Sequence, residues 1–501
     1  MFPIWLVYVI VVHGVLSTSN TVLEMMLNSV SLPLQRFFND SVHEHYGVVL
    51  DAQGMSLVVS LMPNVDLLGF LCSLLFVVPL MDSHGRRFVS VSVRSASVVL
   101  SASCFTLAKY ANSVELYALG QFLLGFVQPM KMIVVKIYLT ECVPDRFRGL
   151  MALAVGSCLF FASLASTVLY LPSLFGNDAR WHLVPMICAA MDVVYFCLAR
   201  WLPESPKWLM DADHPKQEVV EAIRFYHGGD AHVEAVMEEV REEIAISAHH
   251  RMSLRQVYRS QTFRSVFKII FLAVLSSSLS MIVITQSYTQ QLLLGFGYSV
   301  ENVFLLTGLL QALSVPVLVL NPFLYERLGR RPMFLFSAFC SIVNIAFLFA
   351  AKVATEVAGV GVLSRLFATL SMLLGNLASA SGVVIAFIVF IADLLPPGAK
   401  VSVTQFVLLV NLFIQIPAVF FFGNLFTAAG SWTFVPFLAV QITIFVYMYL
   451  NLPETKQLSV TTNVRNVRSH LSPCGTNCMT EALDFERSSL TQQRKRNTYG
   501  T

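Results

Sequence analysis

Acidic and basic side chains cluster in two short segments that share one pattern. The segments read Asp82-Ser83-His84-Gly85-Arg86-Arg87 and Glu326-Arg327-Leu328-Gly329-Arg330-Arg331. Each lies between two apolar runs, and its glycine permits a tight turn that brings the charges close to neighbouring helix ends. A single segment of this kind is explained as a plain anchor of positive charge. Two copies at matching positions instead favour ion pairs that open and close.

Further charged residues fall at the ends of the predicted helices and extend this set. Exposed or partly solvated pairs contribute about 1 kcal/mol or less each, so they can break readily. The sequence therefore predicts a gate made of Asp82, Arg86, Arg87, Glu141, Arg148, Glu204, Glu326, Arg330, Arg331, Asp393, Lys400 and Glu454.

Other ionisable residues lie deep inside apolar runs, where charge is costly and a function is expected by default. Glu24, Asp66 and Lys131 are candidates for taking up and releasing a proton, and Asp192 lies equally deep. The alternative is a structural pair of Lys131 with Glu24 or Asp66. Three more basic residues are expected to reach an interface by snorkelling: Lys136, Arg94 and Arg200.

The composition is that of a membrane protein. Of 501 residues, 56% are hydrophobic and 13% are charged, whereas a soluble domain carries about 25% charged residues. The net charge of +3 is too small to indicate a nucleic-acid partner. The histidines and cysteines show no metal-ligand spacing and no nucleophile–base arrangement, so no enzyme activity, metal or cofactor is expected.

About twelve apolar runs are long enough to cross a bilayer, which takes about 20 residues each. The sequence thus predicts an all-α membrane protein with an N-terminal six-helix half (1–202), a cytoplasmic amphipathic helical linker (203–264), a C-terminal six-helix half (265–452) and a disordered tail (453–501). The predicted spans lie near 3–28, 54–81, 88–108, 114–137, 150–171, 181–202, 265–293, 300–325, 333–351, 364–392, 401–424 and 432–452.

The loop charges predict the orientation. Lysine and arginine concentrate after the even-numbered spans and in the tail, and positive loops stay in the cytoplasm. Both termini are therefore expected in the cytoplasm of a multi-pass protein, which we expect in the plasma membrane. Asn39-Asp40-Ser41 then faces outside, where Asn39 can carry a glycan.

The two halves repeat each other at a nearly constant offset. The repeated elements are Leu202-Pro203-Glu204-Ser205 with Leu452-Pro453-Glu454-Thr455, Gly85-Arg86-Arg87 with Gly329-Arg330-Arg331, and Glu141 and Arg148 with Asp393 and Lys400. Paired halves are typical of transporters, because rocking one half against the other exposes a central site to each side in turn.

These motifs resemble those of the sugar porter family of the major facilitator superfamily, particularly the facilitative glucose transporters. The resemblance rests on Gly120 to Gly149, Trp201 to Leu209, Pro453 to Lys456 and both Gly-Arg-Arg loops. It implies the major facilitator fold, with two six-helix pseudo-repeats. Gln121 and Ser83 depart from the family by replacing arginines, and Asp393 replaces a glutamate.

The sugar site implied by the resemblance departs further from the family pattern. Ser277, Ser278 and Val283 stand where the family has amides in span 7, and Asn411 of span 11 is retained. Sugars are bound by amides, so these changes predict a smaller and less polar pocket. Gly156, Ser314, Ala380 and Ile388 replace further polar or aromatic contacts of the family. The candidate substrate residues are Asn411, Gln415, Ser277, Ser278, Gln286 and Tyr288.

Three functions remain open. The preferred one is facilitated diffusion, by alternating access, of a small neutral solute such as a monosaccharide (a hexose) or a polyol. The second is proton-coupled symport of another small organic solute, since Glu24 follows Leu23, the position of an aspartate in proton-coupled sugar symporters. The third is a non-transporting sensor with an altered site. The expected partners are a sugar-like substrate and the lipid bilayer, and the protein is expected to be a monomer.

Overall fold

The computed structural model describes residues 4–228, 233–249, 261–382, 387, 390–391, 394–395 and 397–452. All regular elements among these residues are helices. Nine stretches of the described chain are long and apolar enough to cross a membrane. One of them, Val403–Asn451, contains two helices, and Asp145–Leu169 and Leu183–Ala199 supply the remaining two spans. The prediction of twelve membrane helices is confirmed.

The first half contains spans 1 to 6. In chain order they are span 1 (Ile4–Val9, Ile10–Val15, Leu16–Thr18 and Ser19–Ser29), span 2 (Ala52–Cys72 and Ser73–Val77), span 3 (Phe88–Val93 and Arg94–Ala111), span 4 (Val114–Pro129, Met130–Val134 and Val135–Cys142), span 5 (Asp145–Leu169) and span 6 (Leu183–Ala199).

The second half contains spans 7 to 12. They are span 7 (Gln261–Ser278 and Ile282–Gly295), span 8 (Val300–Leu328), span 9 (Arg330–Ala358), span 10 (beginning with Val362–Ala380), span 11 (Pro397–Ala429) and span 12 (Phe434–Asn451). Between the halves lie Pro206–Asp211, Lys216–His227 and Val233–His249.

One helix lies between the first two spans, in a stretch that the spans predicted from sequence leave unassigned. Ser31–Tyr46 follows span 1 directly and buries Leu34, Phe37 and Phe38. Phe38 contacts the ring of Tyr117 in span 4, with ring centroids 5.1 Å apart. The other faces of the helix carry mostly polar and charged residues, so the segment lacks the long apolar run by which a membrane span is recognised in a sequence.

Several spans depart from regular α-helix, including spans 2 and 3 at their π-helical segments and the first span of each three-helix group. Span 1 contains π- and 3₁₀-helical turns, and span 4 has a π-helical turn after Pro129. Span 7 is interrupted before Met281, which has φ +61°, and span 10 is interrupted at Gly382, with φ +100°. Discontinuous helices in a transporter line its substrate site. Spans 1, 7 and 10 fit this pattern, since residues of all three line the central cavity.

Spans 2 and 4 approach each other closely at two glycines. A Cβ added to Gly69 would lie 2.0 Å from the carbonyl oxygen of Phe122, and one added to Gly125 would lie 2.0 Å from that of Asp66. No side chain fits in that space, so the two backbones pack directly against each other, as small residues allow in membrane helices.

A fully buried ion pair joins spans 3 and 6. Arg94 Nη2 lies 2.8 Å from Asp192 Oδ1, and both side chains are 0% exposed. Ser19 of span 1 donates to the same carboxylate oxygen at 3.2 Å, and the Arg94 guanidinium lies 4.2 Å from the ring centroid of Tyr195. The expectation that Arg94 snorkels to an interface is wrong, because Asp192 provides an internal counter-charge.

Breaking this pair leaves one buried charge without compensation. We expect Arg94→Met to destabilise the protein by about 3–5 kcal/mol, because Asp192 then remains buried alone. The double variant Arg94→Met/Asp192→Leu removes both charges and is expected to recover most of the loss. Thermal unfolding of the purified protein in detergent measures both effects. A double variant as unstable as the single one would contradict this explanation.

Candidate functional site

A cavity of about 170 Å³ lies between the two halves. Spans 1 and 5 line it from the first half, and spans 7, 8, 9 and 10 line it from the second. None of the described residues that line it is charged. The polar ones are Asn28, Ser29, Ser163, Thr167, Thr285, Gln286, Thr289, Gln290, Thr307, Gln311, Asn344 and Asn376.

Several amide groups in this cavity are not used by the protein. Among the described residues, the side chains of Asn28, Gln286 and Asn376 make no hydrogen bond or ion pair. Asn344 accepts from Ser371 through Oδ1, at 2.5 Å, while its buried Nδ2 has no partner. Gln286 is exposed to the cavity and Asn28 and Asn376 are partly buried, while the buried Nδ2 of Asn344 lacks the partner that buried polar groups normally find. These amides can therefore bind a polar solute.

On the side that the loop charges predict to be cytoplasmic, here called the inner side, the two halves meet in a continuous apolar cluster. It includes Leu74 and Val77 of span 2, Met130 of span 4, and Val407 and Leu408 of span 11. Span 2 packs against span 11 along this contact. Burial of apolar surface therefore closes the route from the cavity to this side.

The outer route is crossed by polar contacts between the halves. Ser31 donates to Gln290 Oε1 at 3.1 Å, and Gln290 Nε2 donates to the carbonyl of Ser29 at 2.7 Å. Thr167 of span 5 donates to Gln311 of span 8 at 3.2 Å. Such hydrogen bonds are individually weak, about 0.6 kcal/mol between membrane helices, so this side can open at modest cost.

The predicted gate residues of the first half form one network at the inner ends of spans 2, 3, 4 and 6. Arg86 pairs with Glu141, with Nε 3.1 Å from Oε2, and with Asp82 at 3.4 Å. The carboxylate of Glu204 accepts from the backbone amide of Arg87 at 2.9 Å. Burial raises the pKa of the Glu204 carboxyl above its usual value, while the amides of Ser205 and Arg87 oppose that rise.

All of these described contacts join elements of the same half. The network therefore fixes the inner ends of four spans relative to one another, and the apolar cluster makes the contact between the halves. Gly85 adopts φ +96°, and a Cβ on it would lie 2.4 Å from the Glu204 carboxylate. The tight turn thus brings Glu204 against the loop, as the sequence pattern indicates.

The second half repeats part of this geometry. Gly329 has φ +101°, close to that of Gly85. Arg331 donates to the carbonyl of Tyr449 at the end of span 12, at 2.8 Å, just as Arg87 donates to that of Leu202 after span 6, at 3.0 Å. Arg330 also has a partner. The remaining predicted gate positions lie outside the described residues or have side chains outside them: Arg148, Glu326, Asp393, Lys400 and Glu454.

The substrate residues predicted from sequence fall into two groups. Gln286 lines the cavity. Ser278 donates to Asn411 Oδ1 at 2.5 Å, and Gln415 donates to the same oxygen at 3.4 Å, so these three form a polar contact between spans 7 and 11. The last two candidates interact with other residues of the protein. Tyr288 donates to the carbonyl of Val419 at 3.0 Å, and the buried Ser277 also has a partner.

The three candidates for proton coupling lie together but outside the cavity lining. Lys131 donates to Thr21 at 2.6 Å, and Glu24 accepts from Asn20 at 2.8 Å. Asp66 has a buried oxygen, Oδ1, without a hydrogen-bond partner. Within the described chain no ion pair within 4 Å joins the three, so the expected Lys131 pair is not formed in this state.

Sequence reasoning missed most of the cavity lining. Thr285 and Thr289, and Gln286 and Gln290, recur four residues apart in span 7, which places each pair on one helix face. This four-residue spacing could have indicated from the sequence that these side chains line a polar cavity. The sequence offers no such indication for Asn344 and Asn376, because an isolated amide in an apolar span can equally well form a hydrogen bond to a neighbouring helix.

Removing the charge of Arg86 tests the role of the inner network. Because Arg86 and Glu141 are only 11% and 13% exposed, we expect Arg86→Gln to destabilise the packing of the inner ends of the first half by about 1.5–3 kcal/mol. The apolar cluster that these ends carry should loosen with them. A reporter cysteine at Val407, which is buried in the apolar cluster, should then react about 10- to 150-fold faster with a thiol reagent applied from the inner face.

The matched control is Arg241→Gln, which breaks an exposed pair with Glu238 in the linker and should leave the labelling rate unchanged. Equal labelling in Arg86→Gln and the parent would show that the network does not support closure.

The sequence of this chain is similar to those of a known protein family. The sequence profile of the family described as "Sugar (and other) transporter" matches residues 6–463. Solute carrier family 2, facilitated glucose transporter member 5 from Bos taurus is 23% identical over 441 residues, covering 86% of this chain and 85% of that protein. Facilitated glucose transporter member 7 from Mus musculus is 23% identical over 448 residues, covering 86% and 83%.

Solved structures agree on the fold. The inward-open xylose transporter XylE from E. coli aligns with a TM-score of 0.69 at 14% identity, covering 92% of this chain and 98% of that one. The proton:xylose symporter XylE bound to 6-bromo-6-deoxy-D-glucose aligns with a TM-score of 0.68 at 15% identity, with the same coverage. The chain therefore has the major facilitator fold, and it belongs to the sugar transporter family of that superfamily.

Proposed function

We propose that this protein carries a small neutral polyhydroxylated solute, with a monosaccharide such as a hexose as the first candidate, by facilitated diffusion. The observation that carries the proposal is a set of amide side chains with free hydrogen-bonding groups, in a cavity between the two halves whose described lining residues are uncharged. Asn28 comes from the first half, and Gln286, Asn344 and Asn376 come from the second. A solute that they bind touches both halves.

The chemistry of this lining suits a sugar. A side-chain amide offers both donors and an acceptor, so it can bridge two neighbouring hydroxyl groups. The absence of charge among the described lining residues disfavours an ionic solute, whose buried charge would need a partner. The volume of about 170 Å³ lies below the roughly 300–1,000 Å³ of pockets for drug-sized ligands, which favours a single small ring.

Relatives support the same substrate class, because members 5 and 7 are named as facilitated glucose transporters and XylE as a xylose transporter. Proton-coupled symport is the weaker alternative. Lys131 and Glu24 are bonded to Thr21 and Asn20, and neither they nor Asp66 lines the cavity. A direct link from these three residues to the solute is therefore missing in this state.

We further propose that the protein lies in the plasma membrane. In the proposed orientation, the charge network and both termini face the cytoplasm. Positive charge in the loops after even-numbered spans supports it. On the opposite side, Asn39 accepts from the backbone amide of Leu50 through Oδ1 at 3.1 Å. No described contact engages its Nδ2, the atom that a glycan would occupy.

The cavity amides should control apparent affinity. We expect Gln286→Ala to raise the KM for hexose uptake into proteoliposomes about 5- to 150-fold, the loss of roughly 1–3 kcal/mol of hydrogen bonding. Asn411→Ala should have a smaller effect, because Asn411 bonds Ser278 and Gln415 and does not line the cavity. Initial uptake rates of radiolabelled hexoses and polyols, with and without a protonophore, measure both effects.

The control is Gln217→Ala, a change of the same type on the exposed linker helix Lys216–His227, which should keep the parental KM. If the KM were unchanged in Gln286→Ala but raised in Asn411→Ala, the substrate would bind at the polar contact of Ser278, Asn411 and Gln415 and not in the cavity. Uptake abolished by the protonophore would favour symport.

A further inference from the structure

A basic concavity lies on the first half, away from the central cavity. It has a volume of about 350 Å³ and is lined by Arg87, Val91, Ser92 and Arg200. Arg87 precedes span 3, and Arg200 follows span 6. The concavity is therefore at the inner ends of two packed spans, where membrane meets water.

The two arginines differ in how far the protein engages them. Arg87 donates one Nη1 bond to the carbonyl of Leu202 at 3.0 Å. The Arg200 side chain is exposed and makes no hydrogen bond, ion pair or ring contact with any described residue. Glu204 is the acid that touches this region, and it accepts from the backbone amides of Arg87 and Ser205. Among the described residues, Arg200 therefore has no counter-charge.

The surroundings of the concavity are apolar and exposed. Phe88 at the start of span 3 is 43% exposed, Val193 and Val194 of span 6 are 48% and 49% exposed, and Trp201 is 79% exposed. Exposed aliphatic side chains on a membrane helix face lipid tails, and tryptophan concentrates at the level of the headgroups. The arginines thus lie at headgroup depth beside a surface that acyl chains cover.

We propose that this concavity binds the phosphate of an anionic glycerophospholipid, with Arg200 as the principal contact. A guanidinium group donates two parallel hydrogen bonds to a phosphate, and the Ser92 hydroxyl adds a third donor. Phe88 and Trp201 pack against the acyl chains. The cytoplasmic leaflet is rich in anionic lipid, so the proposal rests on the orientation given above but not on the identity of the transported solute.

Lipid-dependent stabilisation of the whole purified protein tests this site. A ligand that binds only the folded state stabilises it by RT ln(1 + [L]/Kd), so the melting temperature rises with ligand concentration once that exceeds Kd. We expect phosphatidylserine added to detergent micelles to raise it, and phosphatidylcholine or inorganic phosphate to have little effect. Equal stabilisation by inorganic phosphate would show that the site takes the free anion. No stabilisation by phosphatidylserine would overturn the proposal.

Two variants assign the effect to the concavity. Arg200→Gln should raise by about tenfold or more the phosphatidylserine concentration that is needed for a given rise in melting temperature, since charge-assisted hydrogen bonds are lost. Arg200→Lys should give an intermediate value, because lysine keeps the charge but not the planar fork. Arg224→Gln, an exposed arginine on the linker helix, should match the parent. If Arg200→Gln also matches the parent, the lipid acts elsewhere.

Discussion

Hydrocarbon offers no hydrogen-bond partners, so each polar side chain in a membrane span must find a partner within the protein or face an internal cavity. Arg94 and Asp192 meet this constraint by pairing with each other, at 0% exposure. Asn28, Gln286 and Asn376 meet it by facing the space between the halves. The same rule that stabilises the first half therefore also creates the binding site.

The two kinds of polar residue have different consequences for movement. In the first half, the buried ion pair with Ser19, the direct contact of spans 2 and 4 at Gly69 and Gly125, and the Arg86–Glu141 network join spans 1, 2, 3, 4 and 6. Spans 7 and 10 are interrupted at Met281 and Gly382. Between the halves, apolar packing closes the inner side and a few hydrogen bonds cross the outer side. An arrangement of this kind suits rocking of one half against the other.

The sequence predicts the helices well because length and hydropathy alone decide whether a segment can cross a bilayer. It also predicts the Gly-Arg-Arg loops, since Gly85 and Gly329 require positive φ. It fails where pairing in space matters. Arg94 is predicted to reach an interface, but Asp192 pairs with it inside the protein. Asn411 stays a predicted sugar contact, and in this structure its side-chain oxygen accepts from Ser278 and Gln415. Of the candidate substrate residues, Gln286 alone lines the described cavity.

The central claim is that the cavity between the halves holds a neutral sugar and opens to each side in turn. Counterflow in proteoliposomes tests it most directly, because an exchange of labelled for unlabelled solute needs a loaded carrier that reorients. Vesicles preloaded with unlabelled hexose should accumulate labelled hexose transiently, with no pH gradient imposed and a protonophore present. Binding of the hexose without counterflow would identify a sensor and contradict the claim, as would accumulation that requires a proton gradient.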